Sequence, residues 1–110
     1  MNVIFMGTPD FSTGTLEALI ASKEHQVAAV VTQPDKPKGR GKAMQLTPVT
    51  EVAVRENIPV YQPKRVRDPE FIETLRKIPA DVMVVVAFGQ IIPKEILEMK
   101  KYGCINVHAS

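Results

Sequence analysis

The chain has a single cysteine, Cys104, in 110 residues, so no internal disulfide can form. That usage fits a reducing compartment. It has two histidines, His25 and His108, far apart and without Cys, Asp or Glu at ligand spacing, so no metal site is expected. Its longest apolar run, Val82–Phe88, falls well short of the roughly 20 residues that span a bilayer. The apolar start at Val3–Met6 is too short for a signal peptide, and Asp10 follows quickly. Neither a P-loop nor a G-x-S-x-G elbow occurs. A large excess of one charge is missing too. Fourteen basic and 12 acidic residues leave a formal charge of +2, so any nucleic-acid contact must come from local clustering. Together these absences lead to the expectation of a soluble, cytoplasmic protein with no membrane partner.

What is present suffices for one globular domain with a core, at 45% hydrophobic and 24% charged residues. Val3–Met6 is a short apolar run ending at Gly7, the pattern of a strand buried on both faces. Leu16, Leu19 and Ile20 give Phe11–Ser22 a helical spacing, and Gln26–Thr32 reads as a second strand. Gln33–Leu46 is rich in proline, glycine and lysine and is expected to lack regular structure. Thr47-Pro48 and Asp68-Pro69 each pair an N-cap residue with proline at the first helical position. They open helices reaching Asn57 and Lys77, with a brief strand at Val60-Tyr61 between them. Asp81–Ala87 is the most strongly buried strand, Pro93–Lys101 a shorter helix, and Gly103–His108 the fifth strand.

Strands alternating with helices predict an α/β, Rossmann-like, doubly wound and mostly parallel sheet in three α/β/α layers. Ligands in such sheets bind outside the carboxyl ends of the strands. Gly7–Asp10, Gln33–Asp35, Phe88–Gln90 and Asn106–His108 all follow or end strands, so they are expected to share one edge. That edge is the predicted site.

Three segments there could carry chemistry. Gly7–Gly14 sits at the first strand-to-helix turn, but lacks G-x-G-x-x-G spacing and has Pro9 in place of the second glycine, against a nicotinamide cofactor. Gly7 alone is equally well read as a tight turn. Lys36, Lys38, Arg40 and Lys42 place four cations within seven residues. Such a loop can order against phosphates through charge-assisted hydrogen bonds, or can be merely solvated; its length, beyond the usual connection, favours a function. Lys64-Arg65-Val66-Arg67 reads as an ordinary exposed connection. Asn106 and His108, two apart on an extended segment, project to the same side. The amide can stabilise charge developing on a carbonyl oxygen, and the imidazole can move a proton near neutral pH. Taken alone, a strand-end histidine is more commonly a hydrogen-bonded core residue. Cys104, beside Ile105, reads as core rather than nucleophile.

Taken together, Val3–Phe11 (VIFMGTPDF), Thr32–Lys42 (TQPDKPKGRGK) and Asn106–Ser110 (NVHAS) resemble the methionyl-tRNA formyltransferase family. The closing motif is shared with other folate-dependent formyltransferases and indicates the reaction class. The basic loop is the specific part, because it separates the tRNA enzymes from their small-molecule relatives.

The resemblance implies formyl transfer from 10-formyltetrahydrofolate, as co-substrate, to the amino group of initiator methionyl-tRNA for translation initiation. Asn106 and His108 match the catalytic asparagine and histidine. Phe88, Gly89, Gln90, Ile91 and Ile92 match the segment lining the pterin pocket, and Ser110 begins the folate-binding segment. Lys36, Lys38, Arg40 and Lys42 match the loop that enters the tRNA acceptor arm. It further implies that residues 1–110 are the N-terminal part of the catalytic domain. The rest of the folate segment, a catalytic aspartate and a C-terminal tRNA-binding barrel domain would lie outside this chain. The full-length protein would be a monomer, and the isolated 110-residue fragment would be inactive. Two other readings stay open: a folate-dependent formyltransferase acting on an amino-sugar nucleotide or purine precursor, and a non-catalytic RNA-binding module.

Overall fold

The alternation of apolar side chains along Val3–Met6 divides the molecule. Val3 and Phe5 face one side of a sheet and Ile4 and Met6 the other, and all four are buried. A computed structural model describes residues 1–37 and 44–107. In chain order the elements are β1 (Asn2–Gly7), α1 (Asp10–Ala21), β2 (Gln26–Val31), β3 (Lys36–Pro37), β4 (Met44–Gln45), α2 (Pro48–Arg55), β5 (Val60–Tyr61), α3 (Pro69–Lys77), β6 (Val82–Val86), α4 (Lys94–Leu97) and β7 (Cys104–Val107). Five of the strands form one sheet in the order β5-β2-β1-β6-β7, and every pairing in it is parallel.

Helices cover both faces. Leu16 of α1 and Val49, Val52 and Ala53 of α2 pack on Val3, Phe5, Val30 and Val84. Ile72 and Leu75 of α3 and Ile96 of α4 pack on Ile4, Met6, Met83 and Val85. This is the expected three-layer α/β/α arrangement. From β1 the chain runs outward through β2 to β5, then returns to β6 on the other side of β1. The connections after β1 and β6 therefore diverge. A crevice opens between them, at the place where doubly wound sheets bind ligands.

The cap-plus-proline signals act as read. Thr47 Oγ1 accepts from the Thr50 N–H at 3.1 Å, and Asp68 Oδ1 from the Glu70 N–H at 3.3 Å. At the far end of α2, Asn57 adopts φ 58° while the Ile58 and Asn57 N–H groups return to the Ala53 and Val54 carbonyls. These two bonds make a Schellman closure with asparagine in the left-handed position.

Two expectations are corrected. Gln33–Leu46 is not wholly irregular, because Lys36 pairs with Gln45 and Pro37 with Met44 in a two-residue antiparallel ladder. Such a ladder is too short to leave a period in the sequence. The fourth helix is also only one turn, Lys94–Leu97, instead of reaching Lys101. Beyond it the Tyr102 N–H bonds to the Asp81 carbonyl, and Gly103 takes φ 70°, turning the chain into β7.

Cys104 is half-buried against the α3–α4 side of the core, and burial pushes its thiol pKa up. Ile105 points the opposite way and is exposed on β7, one of the two edge strands of the sheet among the described residues. No helix of the described residues is long and apolar enough to cross a membrane.

Candidate active site

Four strand ends converge at the carboxyl edge of the sheet. The Thr8 hydroxyl, just after β1, donates to the Phe88 carbonyl after β6 at 2.8 Å. The same oxygen accepts from the Gln33 N–H after β2 at 3.3 Å. The Gln90 amide nitrogen then donates to Gln33 Oε1 at 2.8 Å and to the Lys64 carbonyl after β5 at 3.2 Å. The expected shared edge is therefore tied together by side chains from the loops that follow β1, β2, β5 and β6.

The floor of the crevice is closely packed. Ser12 is fully buried in the first turn of α1, and its hydroxyl donates to the Val86 carbonyl. Gly7 lies beside it, and a Cβ added there would come within 2.8 Å of the Val86 oxygen and 2.9 Å of the Ser12 Cβ. Gly7 thus does more than turn the chain. Its missing side chain lets α1 approach β6.

On one side of the 87–89 segment lies a cleft of about 740 Å³. Thr8, Gln33, Asp35, Lys36 and Thr47 line it, with Ala87, Phe88 and Gly89 forming the opposite wall. A polar chain underlies this cleft. The Thr32 and Thr47 hydroxyls share a hydrogen bond of 2.9 Å, and those of Thr47 and Thr50 one of 2.7 Å. Asp35 Oδ1 accepts from Gln62 Nε2 at 2.7 Å and from the Thr47 N–H at 3.4 Å. Asp35 thereby fixes the Lys36–Gln45 end of the ladder.

On the other side is a second cleft, of about 430 Å³. Asn106 lines it together with Phe88, Gln90, Ile92 and Phe11. Asn106 is exposed near the end of β7, in register with Val85. Its amide is therefore available to a ligand, held on a strand and backed by an apolar wall.

The expected site residues are distributed as follows. Phe88 is buried at 2% exposure and anchors its segment in the core, while its backbone lines both clefts' shared wall. Gly89 has φ 97°, a conformation suited to glycine. Ile92 is half-buried against the core. Ile91 is 93% exposed and lies apart from Asn106, in a groove with Lys64, Arg65 and Arg67. Lys36 is exposed in β3 at the rim of the larger cleft. Lys38, Arg40, Lys42, His108 and Ser110 lie outside the described residues.

Sequence reading missed Gln33, Thr8 and Asp35 as individual contributors, because each acts through partners distant in the chain. It took Lys64–Arg67 for an ordinary connection. Val66 is in fact a buried anchor, with Lys64, Arg65 and Arg67 exposed around it.

A doubly wound parallel sheet with a strand-end asparagine in a crevice near the topological switch is an arrangement that binds a ligand at its carboxyl edge. A formyl transferase family model matches residues 1–110, and the chain belongs to that family. Among curated proteins it is similar to the methionyl-tRNA formyltransferase of Agathobacter rectalis, 66% identical over 110 residues. It is likewise similar to those of Lachnospira eligens, at 60%, and Clostridioides difficile, at 56%. Each alignment covers 100% of this chain and 35% of the relative. The chain thus spans about a third of the length of these relatives.

Proposed function

We propose that the full-length protein is a cytoplasmic, monomeric methionyl-tRNA formyltransferase, with residues 1–110 as the N-terminal part of its catalytic domain. It moves the formyl group of 10-formyltetrahydrofolate to the α-amine of initiator methionyl-tRNA. The observation that carries this reading is the placement of Asn106 with Phe88, Gln90 and Ile92 in one cleft, beside a larger cleft rimmed by Lys36. The three relatives named above all bear the methionyl-tRNA formyltransferase name. None favours an amino-sugar acceptor, a purine precursor or a non-catalytic RNA-binding role.

The residues suit a flat heteroaromatic donor. Phe11, which is exposed, and the half-buried Ile92 supply apolar surface beside Asn106. Cations from Lys36 through Lys42 would meet the acceptor-arm phosphates. In the reaction the amine attacks the formyl carbon. A new C–N bond forms, the bond from that carbon to the folate nitrogen breaks, and the proton lost by the amine is balanced by one gained by that nitrogen. Negative charge develops on the formyl oxygen, and the Asn106 amide would donate a hydrogen bond to it. Such a contact is worth roughly 3–4 kcal/mol in a preorganised site. His108 would polarise the same carbonyl and handle the proton, and an aspartate beyond this chain would orient it. Ser110 would begin the folate-binding segment.

The test is Asn106→Ala in the full-length protein, with turnover measured on charged initiator tRNA at saturating donor. A fall of about 10²–10³-fold is expected, and wild-type turnover would sink the assignment. Parallel assays with an amino-sugar nucleotide and with unrelated RNA should show neither formylation nor tight binding.

A further inference from the structure

The Gln90 side chain has no donor left to offer a ligand. Its two amide hydrogens go to Gln33 Oε1, at 2.8 Å, and to the Lys64 carbonyl, at 3.2 Å. Its Oε1 accepts from the Val66 N–H at 2.8 Å. One amide thus joins the ends of β2, β5 and β6, three strands that are not all neighbours in the sheet.

The segment it holds does not choose its own conformation. Ala87 sits at φ 50° and Gly89 at φ 97°, so two left-handed residues flank the buried Phe88. An alanine disfavours that region, and such geometry persists where surrounding contacts over-determine it. Three contacts do so here: the Phe88 side chain in the core, the Thr8 hydroxyl on the Phe88 carbonyl, and the Gln90 bonds. Gln33 also packs on the segment directly, since a Cβ on Gly89 would lie 2.8 Å from Gln33 Nε2.

Ala87 and Phe88 belong to both clefts, the larger one beside Lys36 and the smaller one containing Asn106. The segment is therefore a partition with a cleft on each side. We propose that Gln90 is a positioning residue: clasped to Gln33 and to the Lys64–Val66 turn, it fixes the 87–92 partition and so sets the alignment of donor and acceptor on its two sides. It acts through the backbone it holds and does not contact the reacting atoms. The functional half of this proposal rests on the formyl-transfer reading.

The experiment uses the full-length protein with Gln90→Leu, which keeps the side chain's bulk and removes all three bonds. Hydrogen exchange at the Val66 amide should speed up by about tenfold or more, because its acceptor is gone. The KM for the formyl donor should rise about tenfold, the scale of one or two lost neutral hydrogen bonds. The kcat at saturation should stay within about twofold, because the reacting groups remain and binding energy can restore the partition. Gln33→Leu should give the same KM effect, and the double variant little more than either single one. Gln90→Glu keeps the acceptor for Val66 but loses both donors. It should restore Val66 protection without restoring KM, and it serves in its own right if Gln90→Leu fails to fold. Unchanged Val66 exchange in Gln90→Leu, an unchanged KM, or additive effects of the two glutamines would each overturn the proposal. An inactive wild-type protein would instead sink the functional reading. The Val66 exchange and the Phe88 and Gly89 amide chemical shifts would then still decide whether the clasp sets the partition.

Discussion

Ser12 and Val86, 74 residues apart, are joined by a hydrogen bond from the buried serine hydroxyl to the strand carbonyl. That bond sits at the crevice floor, with Gly7 completing the contact. Ser12→Ala leaves a buried carbonyl without this partner and should cost about 1–3 kcal/mol in urea unfolding. Gly7→Ala should cost a similar ~1–3 kcal/mol by overpacking, because backbone oxygen cannot yield to the new methyl as a side chain could. A neutral result for Gly7→Ala would mean that α1 can lift from β6 freely.

Asn57 closes α2 in a left-handed conformation that glycine adopts without penalty. Asn57→Gly should be neutral to stabilising by up to ~1 kcal/mol, whereas Asn57→Val should destabilise by ~1 kcal/mol or more. The thermal unfolding midpoint of Asn57→Val should fall below that of Asn57→Gly. Matching midpoints would remove the Schellman account.

Cys104 gives a pH signature. Burial raises its thiol pKa above the ordinary value of a free thiol in the folded protein. The folded state therefore holds its proton to higher pH than the unfolded chain does. This contribution is fully present below the unfolded pKa and is lost as pH rises through the folded one. Comparison with Cys104→Ala should show that part of the decline in stability above about pH 9 disappearing in the variant. Iodoacetamide should also modify Cys104 more slowly than a free thiol at pH 8. Alkylation at the free-thiol rate would contradict the burial argument.

Arg40 carries the proposed acceptor specificity. Its planar fork can bond phosphate and stack on a base together, which lysine cannot do. In the full-length protein, Arg40→Ala should raise KM for charged tRNA by about tenfold, with donor KM nearly unchanged; a charge-assisted contact of this kind supplies that scale. Lys36→Ala should have a smaller effect. Equal losses for the two substrates would detach the loop from tRNA recognition.

Legibility followed the range of the interactions. Thr47-Pro48 and Asp68-Pro69 announce helix starts because cap and proline act within a few residues. Val82–Val86 announces a central strand because burial on both faces demands an unbroken apolar run. Asn106 could be placed in the crevice region because strand ends in such sheets share one edge. The Gln33–Gln90 clasp could not be read, since its partners are 57 residues apart and a polar residue after a strand carries no mark of what it will bond. The Lys36–Pro37 ladder was hidden for a related reason, as two residues cannot show an alternation. Ile91 shows the same limit of composition, because an apolar residue inside an apolar segment gives no sign that it will face solvent.

The strand order also sets a timetable. β1 finds one neighbour, β2, almost at once, but the other, β6, is about 80 residues further along, with Met6 opposite Val85. At ribosomal rates of about 5–20 residues per second, that interval lasts roughly 4–16 s. Throughout it, the central strand of the sheet has one edge with no partner of its own, a template for any extended chain nearby. The arrival of Val82–Val86 ends that exposure. Substitutions that weaken β6 should therefore lower soluble yield from the ribosome more than their equilibrium cost alone would suggest, and a chaperone that shields β1 should recover the difference.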